Sequence, residues 1–184
     1  MGMSSEEDLA SLARKASDGN SDAWAEIYRM MAPSIFRLCR RALPTRQDAE
    51  DATGEVFLRA RLRLSHYDRA RPFEPWLYRV AANHCWDELR KKRRHPEVDD
   101  SEEEISRLEA EAPTPQEAVL ISESKRTIRR AIATLDDRTR LAVILRYFAE
   151  MSYSEIGEVL GISSNFTGVL LLRARRALRT RLGS

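Results

Sequence analysis

Apolar residues recur at steps of three and four along most of the chain, which is the spacing of one face of an α-helix. No segment alternates apolar and polar residues for long enough to predict a β-strand. The first helix follows Ser21 or Asp22, either of which is a suitable cap, and Pro33 is expected to kink it. Its apolar positions are Trp24, Ile27, Tyr28, Met31, Ile35, Leu38 and Ala42. The pattern predicts an all-α protein.

Capping signals predict where two further helices begin. Thr45, with Asp48 three residues later, has the pattern of a capping box at the start of the second helix. Its apolar residues are Ala49, Ala52, Val56, Phe57 and Ala60. Residues 65–75 contain two prolines and several polar residues, which predict a loop. A long helix then runs from about Pro75, acceptable in a first turn, to Arg94.

The C-terminal part has the pattern of a helix-turn-helix. Two helices are marked first by Ile121, Ile128, Ile132 and Leu135, and then by Leu141, Ile144, Leu145 and Phe148 after Asp136 and Asp137. Ser152 and Glu155 form a second capping box before a helix that ends at Gly161, and Ser163 caps the last helix. Within this part, Gly157 allows two helices to approach closely and Gly161 sits in the turn between them.

Charge divides the chain of 184 residues into segments, although its formal net charge is only +2. Residues 90–94 are all basic, whereas residues 97–111 contain eight acidic residues and one basic residue, Arg107. Acid-rich sequence with prolines favours a solvated, extended linker. We therefore predict two small helical domains, 1–95 and 118–184, joined by an acidic flexible linker at 96–117.

Several classes of protein are excluded by what the sequence lacks. The longest apolar run, Leu141–Leu145, and the run Val169–Leu172 are both far shorter than the roughly 20 residues of a membrane span, so we expect a cytoplasmic protein without membrane insertion. Cys39 and Cys85 fall within helical patterns and are expected to be buried thiols. The three histidines have no metal-ligand spacing, and no nucleophile elbow or phosphate-binding glycine loop occurs. We expect neither a metal, a cofactor nor an enzyme.

Cations and aromatic residues together indicate nucleic-acid binding. In the first half, Arg69, Arg71, Arg79 and the run from Arg90 alternate with Tyr67, Phe73, Trp76, Tyr78 and Trp86. Unpaired bases stack on such rings while arginines hold the backbone. The same aromatic residues would also serve to pack the long helix against its neighbours. At the C-terminus Arg173, Arg175, Arg176, Arg179 and Arg181 would neutralise DNA phosphates or form a solvated helix face.

Three sets of residues in this order resemble an extracytoplasmic-function (ECF) sigma factor of bacterial RNA polymerase. They are DAEDATGEVFLRA at 48–60, FEPWLYRVAAN at 73–83 with DELRKKRR at 87–94, and the segment 135–163 with RARRAL at 173–178. The resemblance extends from about Ser21 to Arg181. It implies a sigma region 2 that binds core polymerase and opens the −10 element, and a sigma region 4 that docks on the −35 element. The partners it implies are promoter DNA, the β′ clamp helices and β flap of core polymerase, and an anti-sigma factor.

The resemblance also implies roles for individual residues. The acidic stripe of Asp48, Asp51 and Glu55 matches the segment that contacts the β′ clamp helices. Asn83 matches an asparagine that holds a base flipped from the −10 non-template strand, and the loop 67–72 matches the pocket around that base. The implied −10 DNA-binding residues are Tyr67, Arg69, Arg71, Trp76, Arg79, Asn83, Arg90 and Lys91. The implied −35 DNA-binding residues are Ser164, Asn165, Thr167, Arg173, Arg175 and Arg176.

This chain departs from the family pattern at two places. Gly54 stands where the family usually has glutamine, and a glycine within a helix costs about 1 kcal/mol relative to alanine. The last helix has apolar residues where the family has lysine or arginine around Gly168 and Leu170. Part of that helix is therefore expected to be buried or to contact a partner. Two other interpretations are a stand-alone helix-turn-helix regulator and a degenerate sigma-like adaptor.

Overall fold

The structure is a computed structural model that describes residues 3–94, 127–128 and 130–182. Within these ranges the regular structure is helical and contains no β-strand, as the apolar spacing predicts. The first four α-helices are α1 (Met3–Ser17), α2 (Ser21–Ala42), α3 (Arg46–Leu62) and α4 (Phe73–Arg94). A 3₁₀ turn, Leu64–His66, lies between α3 and α4. The later helices are α5 (Asp137–Tyr147), α6 (Tyr153–Leu160) and α7 (Ser164–Leu182).

Helix α1 is absent from the prediction made on apolar spacing. Among its residues 8–17, whose burial the structure describes, Leu9 and Ala13 are buried and pack into the core beside α2 and α4. The cap of α2 also differs from the prediction, because Asn20 rather than Ser21 or Asp22 accepts a hydrogen bond, at 2.9 Å, from the amide of Ala23. Asparagine is as good a cap as aspartate or serine, so three adjacent polar residues left the choice open.

The core of the first four helices is made where α2, α3 and α4 pack together. Its largest fully buried side chains in these helices include Ile27, Ile35, Leu38, Phe73 and Leu77. Cys39 on α2 and Cys85 on α4 are both free and buried, with their Sγ atoms 3.7 Å apart. The prediction of buried thiols is confirmed.

Helix α4 begins at Phe73, two residues before the predicted start at Pro75. An aromatic cluster anchors this end, because the ring centroids of Phe73 and Trp76 each lie 5.3 Å from that of Tyr67. Trp86, further along α4, is buried, while Trp76 and Tyr78 are half-buried against the core. Packing therefore accounts for most of the aromatic surface of this helix.

The helix-turn-helix formed by α6 and α7 depends on two glycines. A Cβ atom at Gly157 would lie 2.6 Å from the carbonyl oxygen of Ile162, so only glycine allows the turn to approach α6 this closely. Gly161 ends α6 with φ of 65° in the left-handed region, which glycine adopts without strain. Ser163 accepts a hydrogen bond from the amide of Phe166 at 3.2 Å and so caps α7, as predicted.

The two groups of helices contact each other directly. Arg93 at the end of α4 pairs with Asp137 of α5 at 2.8 Å, and Arg79 pairs with Glu155 and Glu158 of α6. The predicted linker, 96–117, lies outside the described residues. None of the helices in the described part of the chain is both long and apolar enough to cross a bilayer.

Candidate polymerase and nucleic-acid interfaces

The N-terminus of α3 is held by a capping box. The amide of Asp48 donates to Thr45 Oγ1 at 3.0 Å, and the amide of Thr45 donates to the Asp48 carboxylate at 3.2 Å. Lys92 of α4 adds an ion pair to the same carboxylate, with Nζ 2.7 Å from Oδ2. Burial by itself raises the pKa of the Asp48 carboxyl. Hydrogen bonds donated by Lys92 and Thr45 outweigh this effect, so the pKa lies below its usual value. Asp48 thus joins α3 to α4.

The other two acids of the predicted stripe point outward. Asp51 is exposed and accepts a hydrogen bond from Gln47 at 2.9 Å. Glu55 accepts one from Arg59 at 2.7 Å, and this hydrogen bond lowers the pKa of the Glu55 carboxyl. Both residues stand on the outer side of α3, where their carboxylates face away from the core.

Sequence reasoning missed two apolar residues on the same face of α3. Leu58 is 55% exposed and Leu62 is 72% exposed. They follow Glu55 at spacings of three and seven residues, which place all three side chains on one side of a helix. An exposed leucine is common by itself, but two leucines in line with two acids form a continuous outer face. We call Asp51, Glu55, Leu58 and Leu62 the α3 face.

The exposed side of α4 carries the predicted −10 residues. Trp76, Arg79, Asn83 and Arg90 lie at spacings of three, four and seven residues, and so share one side of the helix. Asn83 is exposed, Trp76 is half-buried and Arg90 is exposed. We call these four residues the α4 face.

Most of the predicted −10 cations make ion pairs within the protein. Arg69 pairs with Asp18 at 2.7 Å, Arg71 with Asp68 at 3.4 Å and Lys91 with Glu88 at 2.7 Å. Arg79 pairs with two glutamates of α6, each at 3.3 Å. These pairs are partly or largely exposed, so they exchange readily for other anions such as phosphates.

Tyr67, a predicted −10 residue, lies inside the protein in this structure rather than on its surface. Its side chain is buried, and its hydroxyl donates to the carbonyl oxygen of Arg71. Burial also raises the pKa of the Tyr67 phenol, with a smaller effect of Asp68. Tyr67 shapes the loop before α4 from the inside, and the surface of that loop is formed by its neighbours.

In the helix-turn-helix, the N-terminal residues Ser164 and Asn165 of α7 are exposed, as expected for residues that reach base edges. Thr167, the third predicted residue of this set, lies inside the protein in this structure rather than on its surface. Its side chain is fully buried against α6, and its hydroxyl donates to the carbonyl oxygen of Ser163 at 3.2 Å. The residue fills the space beside Gly157, whose missing Cβ would lie 3.4 Å from the threonine hydroxyl.

The predicted phosphate-binding arginines of α7 lie on its exposed side. Arg173 and Arg176 are exposed, and Arg175 is exposed while donating to the Tyr147 hydroxyl of α5 at 3.0 Å. Leu170, Leu171 and Ala174 are buried on the opposite side. Helix α7 is therefore partly buried, as the apolar pattern predicts, but it keeps one open side.

The chain matches two protein-family descriptions in order. Residues 27–95 match Sigma-70 region 2, and residues 125–178 match Sigma-70, region 4. These two regions define a protein of the sigma-70 class.

Curated relatives narrow the class. SigW, an ECF RNA polymerase sigma factor of Bacillus subtilis, is 34% identical over 175 residues, covering 92% of this chain and 94% of the relative. SigM of the same species is 33% identical over 84% of this chain and 91% of the relative. CarQ, an RNA polymerase sigma factor of Myxococcus xanthus, is 31% identical over 90% of this chain and 92% of the relative. The chain belongs to the ECF sigma factors, and it is an alternative sigma factor for transcription initiation.

Solved structures share the fold. CnrH, determined in complex with the cytosolic domain of CnrY, superposes with a TM-score of 0.63 over 96% of this chain and 97% of that one, at 23% identity. RpoE of Bartonella quintana, determined with the anti-sigma factor NepR, superposes with a TM-score of 0.63 over 86% of this chain and 96% of that one, at 17% identity. The all-α fold with two small helical domains is confirmed.

Proposed function

We propose that this chain acts by binding alone and gives core RNA polymerase its promoter specificity. The α3 face binds core polymerase, the α4 face opens the −10 element, and α7 docks on the −35 element. The observation that carries this proposal is the α4 face, where an exposed amide, Asn83, stands in line with Arg79, Arg90 and the ring of Trp76. We also propose that the protein is not an enzyme and acts in the cytoplasm.

The chemistry of the α3 face suits a basic helical partner such as the β′ clamp helices. Asp51 and Glu55 offer negative charge at one end, and Leu58 and Leu62 offer apolar surface at the other. Charges at an interface mainly set orientation and partner choice, whereas buried apolar area supplies most of the affinity. Asp48, the third acid of the predicted stripe, offers less of its charge to this partner, because its carboxylate also binds Lys92 and Thr45.

The α4 face suits a DNA strand that has left the duplex. The amide of Asn83 both donates and accepts, so it pairs with the edge of a flipped base. Arg79 and Arg90 stand on either side of it along the helix and would hold the backbone. Arg69, Arg71 and Lys91 would add phosphate contacts by exchanging their present partners for DNA.

The engagement of Arg79 by α6 implies an order of events. In this structure its guanidinium is bound by Glu155 and Glu158, so Arg79 must exchange these carboxylates for DNA, and separation of the two groups of helices would favour that exchange. Core polymerase binding, with α7 directed to the −35 element and the C-terminal part to the β flap, would supply that separation. An anti-sigma factor is the further partner that we propose, on the precedent of RpoE with NepR.

Run-off transcription tests this proposal. Purified chain is added to bacterial core polymerase with a pool of templates randomised at the −35 and −10 positions, and the transcripts are sequenced. We expect transcripts that depend on the chain and share a start distance from a selected −10 motif. Binding to core polymerase without transcripts would instead identify a sigma-like adaptor. Duplex binding without core polymerase would identify a stand-alone regulator.

A further inference from the structure

The open side of α7 carries three apolar residues in its first turns, next to the exposed Ser164 and Asn165. Phe166, Val169 and Leu172 are 41%, 42% and 48% exposed, whereas Thr167, Leu170 and Leu171 are buried. At about 100° per residue, three-residue steps place the exposed side chains within an arc of about 120°. From Phe166 to Leu172 the helix rises about 9 Å. We call Phe166, Val169 and Leu172 the α7 stripe.

The α7 stripe is held on a rigid support. The turn before it is fixed by the close approach of Ile162 to Gly157, and Ser163 caps the first turn. One turn later, a Cβ at Gly168 would already lie 3.5 Å from the ring of Tyr153, so α7 sits directly against α6. The exposed side chains therefore cannot turn inward without loss of this packing.

The charge of α7 indicates which class of macromolecule covers the stripe. The helix contains five arginines and no acidic residue, and every arginine follows the stripe toward the C-terminus. The complementary partner is a polyanion with apolar groups set into it. In a helix-turn-helix the first turns of the second helix meet base edges in the major groove, and the flanking cations meet phosphates. Duplex DNA matches both halves of α7, whereas a protein partner would need a strongly acidic surface.

The chemistry of the bases then selects among base pairs. Guanine is read by arginine or lysine and cytosine by acidic side chains, yet residues 164–172 contain none of these. The apolar group that the major groove presents is the C5-methyl of thymine. Asn165, exposed beside the stripe, has the amide that reads adenine, the partner of thymine.

Resting on the proposed −35 contact, we propose that the α7 stripe recognises the C5-methyl groups of thymines in the −35 element. With base pairs about 3.4 Å apart, a stripe of about 9 Å spans two or three T·A pairs. Phe166, Val169 and Leu172 are then the specificity-determining residues of this sigma factor. The C-terminal arginines contribute affinity that does not depend on sequence.

Replacing thymine by deoxyuridine tests the inference, because it removes only the methyl group. Holoenzyme made from the full chain and core polymerase first selects −35 sequences from a duplex library randomised at both promoter elements. The selected duplex is then synthesised with dU at each −35 thymine in turn. Removing a buried methyl lowers affinity about fourfold, so we expect that loss at two or three positions and none elsewhere.

Variants of the chain provide matched controls. Val169→Ala with Leu172→Ala should lose the difference between dT and dU duplexes. Leu182→Ala, at an equally exposed apolar residue on another side of α7, should retain it. Arg176→Ala should weaken binding to both duplexes by the same factor. Val169→Arg should move the selected base at one position toward guanine.

The outcomes separate this inference from the proposed function. Equal affinity for dT and dU duplexes, with −35 binding intact, overturns methyl recognition and leaves the sigma function standing. Failure to select any −35 sequence overturns the −35 contact itself. Self-association of the chain that is lost in the Val169→Ala, Leu172→Ala variant, together with equal dT and dU binding, would identify the stripe as a protein interface and overturn the inference.

Discussion

Arg79 of α4 and Glu155 of α6 are joined by an ion pair of 3.3 Å across the two groups of helices. Glu155 is also the acidic member of the Ser152 capping box, and its hydrogen bonds there, with the charge of Arg79, hold the pKa of its carboxyl below the usual value. A residue of the helix-turn-helix thus stabilises its own helix and engages an arginine of the α4 face. Glu155 of α6 and the phosphates of DNA therefore compete for the guanidinium of Arg79.

Reversing the neighbouring charge should favour separation of the two parts. Glu158→Lys places a cation beside Arg79 without disturbing the capping box, since Glu158 is exposed and lies outside it. An exposed ion pair contributes about 0.2–1 kcal/mol, so the ratio of open to closed chains should rise by up to about fivefold. Small-angle scattering should show a larger radius of gyration at 0.1 M salt. Glu26→Lys, which breaks an ion pair with Arg29 within α2, is the control, and equal radii for all three chains would refute the prediction.

Charge reversal on the α3 face should weaken binding to core polymerase. In Asp51→Lys with Glu55→Lys, like charges meet at the interface, a juxtaposition that costs several kcal/mol. Helicity should be unchanged, because both side chains are on the outer side of α3. Glu50→Lys is the matched control, being one residue away and about 100° around the same helix. Co-purification with core polymerase measures the effect, and equal recovery of the two variants would refute the assignment.

Truncating Asn83 should impair promoter opening more than initial DNA binding. The amide is exposed, so Asn83→Ala should leave folding intact and remove a contact made only after a base leaves the stack. Contacts to a single flipped base are each about 1–3 kcal/mol, which predicts a reduction in open complex of about 5- to 150-fold. Permanganate reactivity of −10 thymines measures opening. The assignment fails if both proteins give the same reactivity.

Gly54 should be replaceable with a gain in stability. A Cβ at this exposed position in α3 would meet no atom within 4 Å, so Gly54→Ala should raise the free energy of unfolding by about 0.5–1 kcal/mol. Gly157→Ala is the opposite case, since its Cβ would clash with the Ile162 carbonyl and should destabilise the chain. Urea unfolding compares the two variants. A Gly54→Ala protein no more stable than the parent would contradict this account.

His84 should make stability fall as the solution becomes mildly acidic. Burial, followed by the charge of Arg59, lowers the pKa of the imidazole, while Glu88 and Glu55 oppose the shift less strongly. Its Nδ1 is buried with no hydrogen-bond partner among the described residues. Below the ordinary histidine pKa of 6.5 the unfolded chain takes up a proton that the folded chain refuses. The free energy of unfolding is therefore highest above pH 6.5, and it decreases as the pH falls through the lower pKa that His84 has in the folded state.

Unfolding measured between pH 7 and pH 5 isolates this effect. The free energy of unfolding should fall by at most about 1.4 kcal/mol per pH unit, and His84→Gln should remove this pH dependence. The carboxyls with lowered pKa values, such as Asp48 and Glu155, lose their contribution only below their usual values of 3.8 and 4.5. His66→Gln, at an exposed histidine, should leave the slope unchanged, and a slope that persists in His84→Gln would refute the assignment.

Local rules predicted most helix ends correctly, because capping depends on residues three positions apart. Thr45 with Asp48 and Ser152 with Glu155 both form the expected capping boxes, and Gly161 ends α6 in the expected conformation. Helix α1 was not predicted, although Leu9, Leu12, Ala13 and Ala16 follow one another at helical spacing and pack on the core.

The candidate interfaces were predicted less completely, because they depend on contacts between distant residues. Nothing local shows that Tyr67 folds inward onto Phe73, or that Thr167 fills the space left by Gly157. Leu58 and Leu62 are apolar residues of α3, and only the structure shows that they lie outside the core. Periodicity identifies a helix face, but only packing decides which face remains exposed.

The basic run at residues 90–94 offers DNA fewer charges than its composition suggests. Lys91, Lys92 and Arg93 already neutralise Glu88, Asp48 and Asp137. A cation that keeps its internal carboxylate when promoter DNA binds displaces no counterion from a phosphate, and each such cation reduces the slope of log affinity against log salt by about 0.9. The Lys92 pair, which holds α4 to α3, belongs to this group. The slope of log affinity against log salt therefore reports how many of these internal ion pairs break when promoter DNA binds. A folded protein with the same composition but unpaired cations would show a steeper slope.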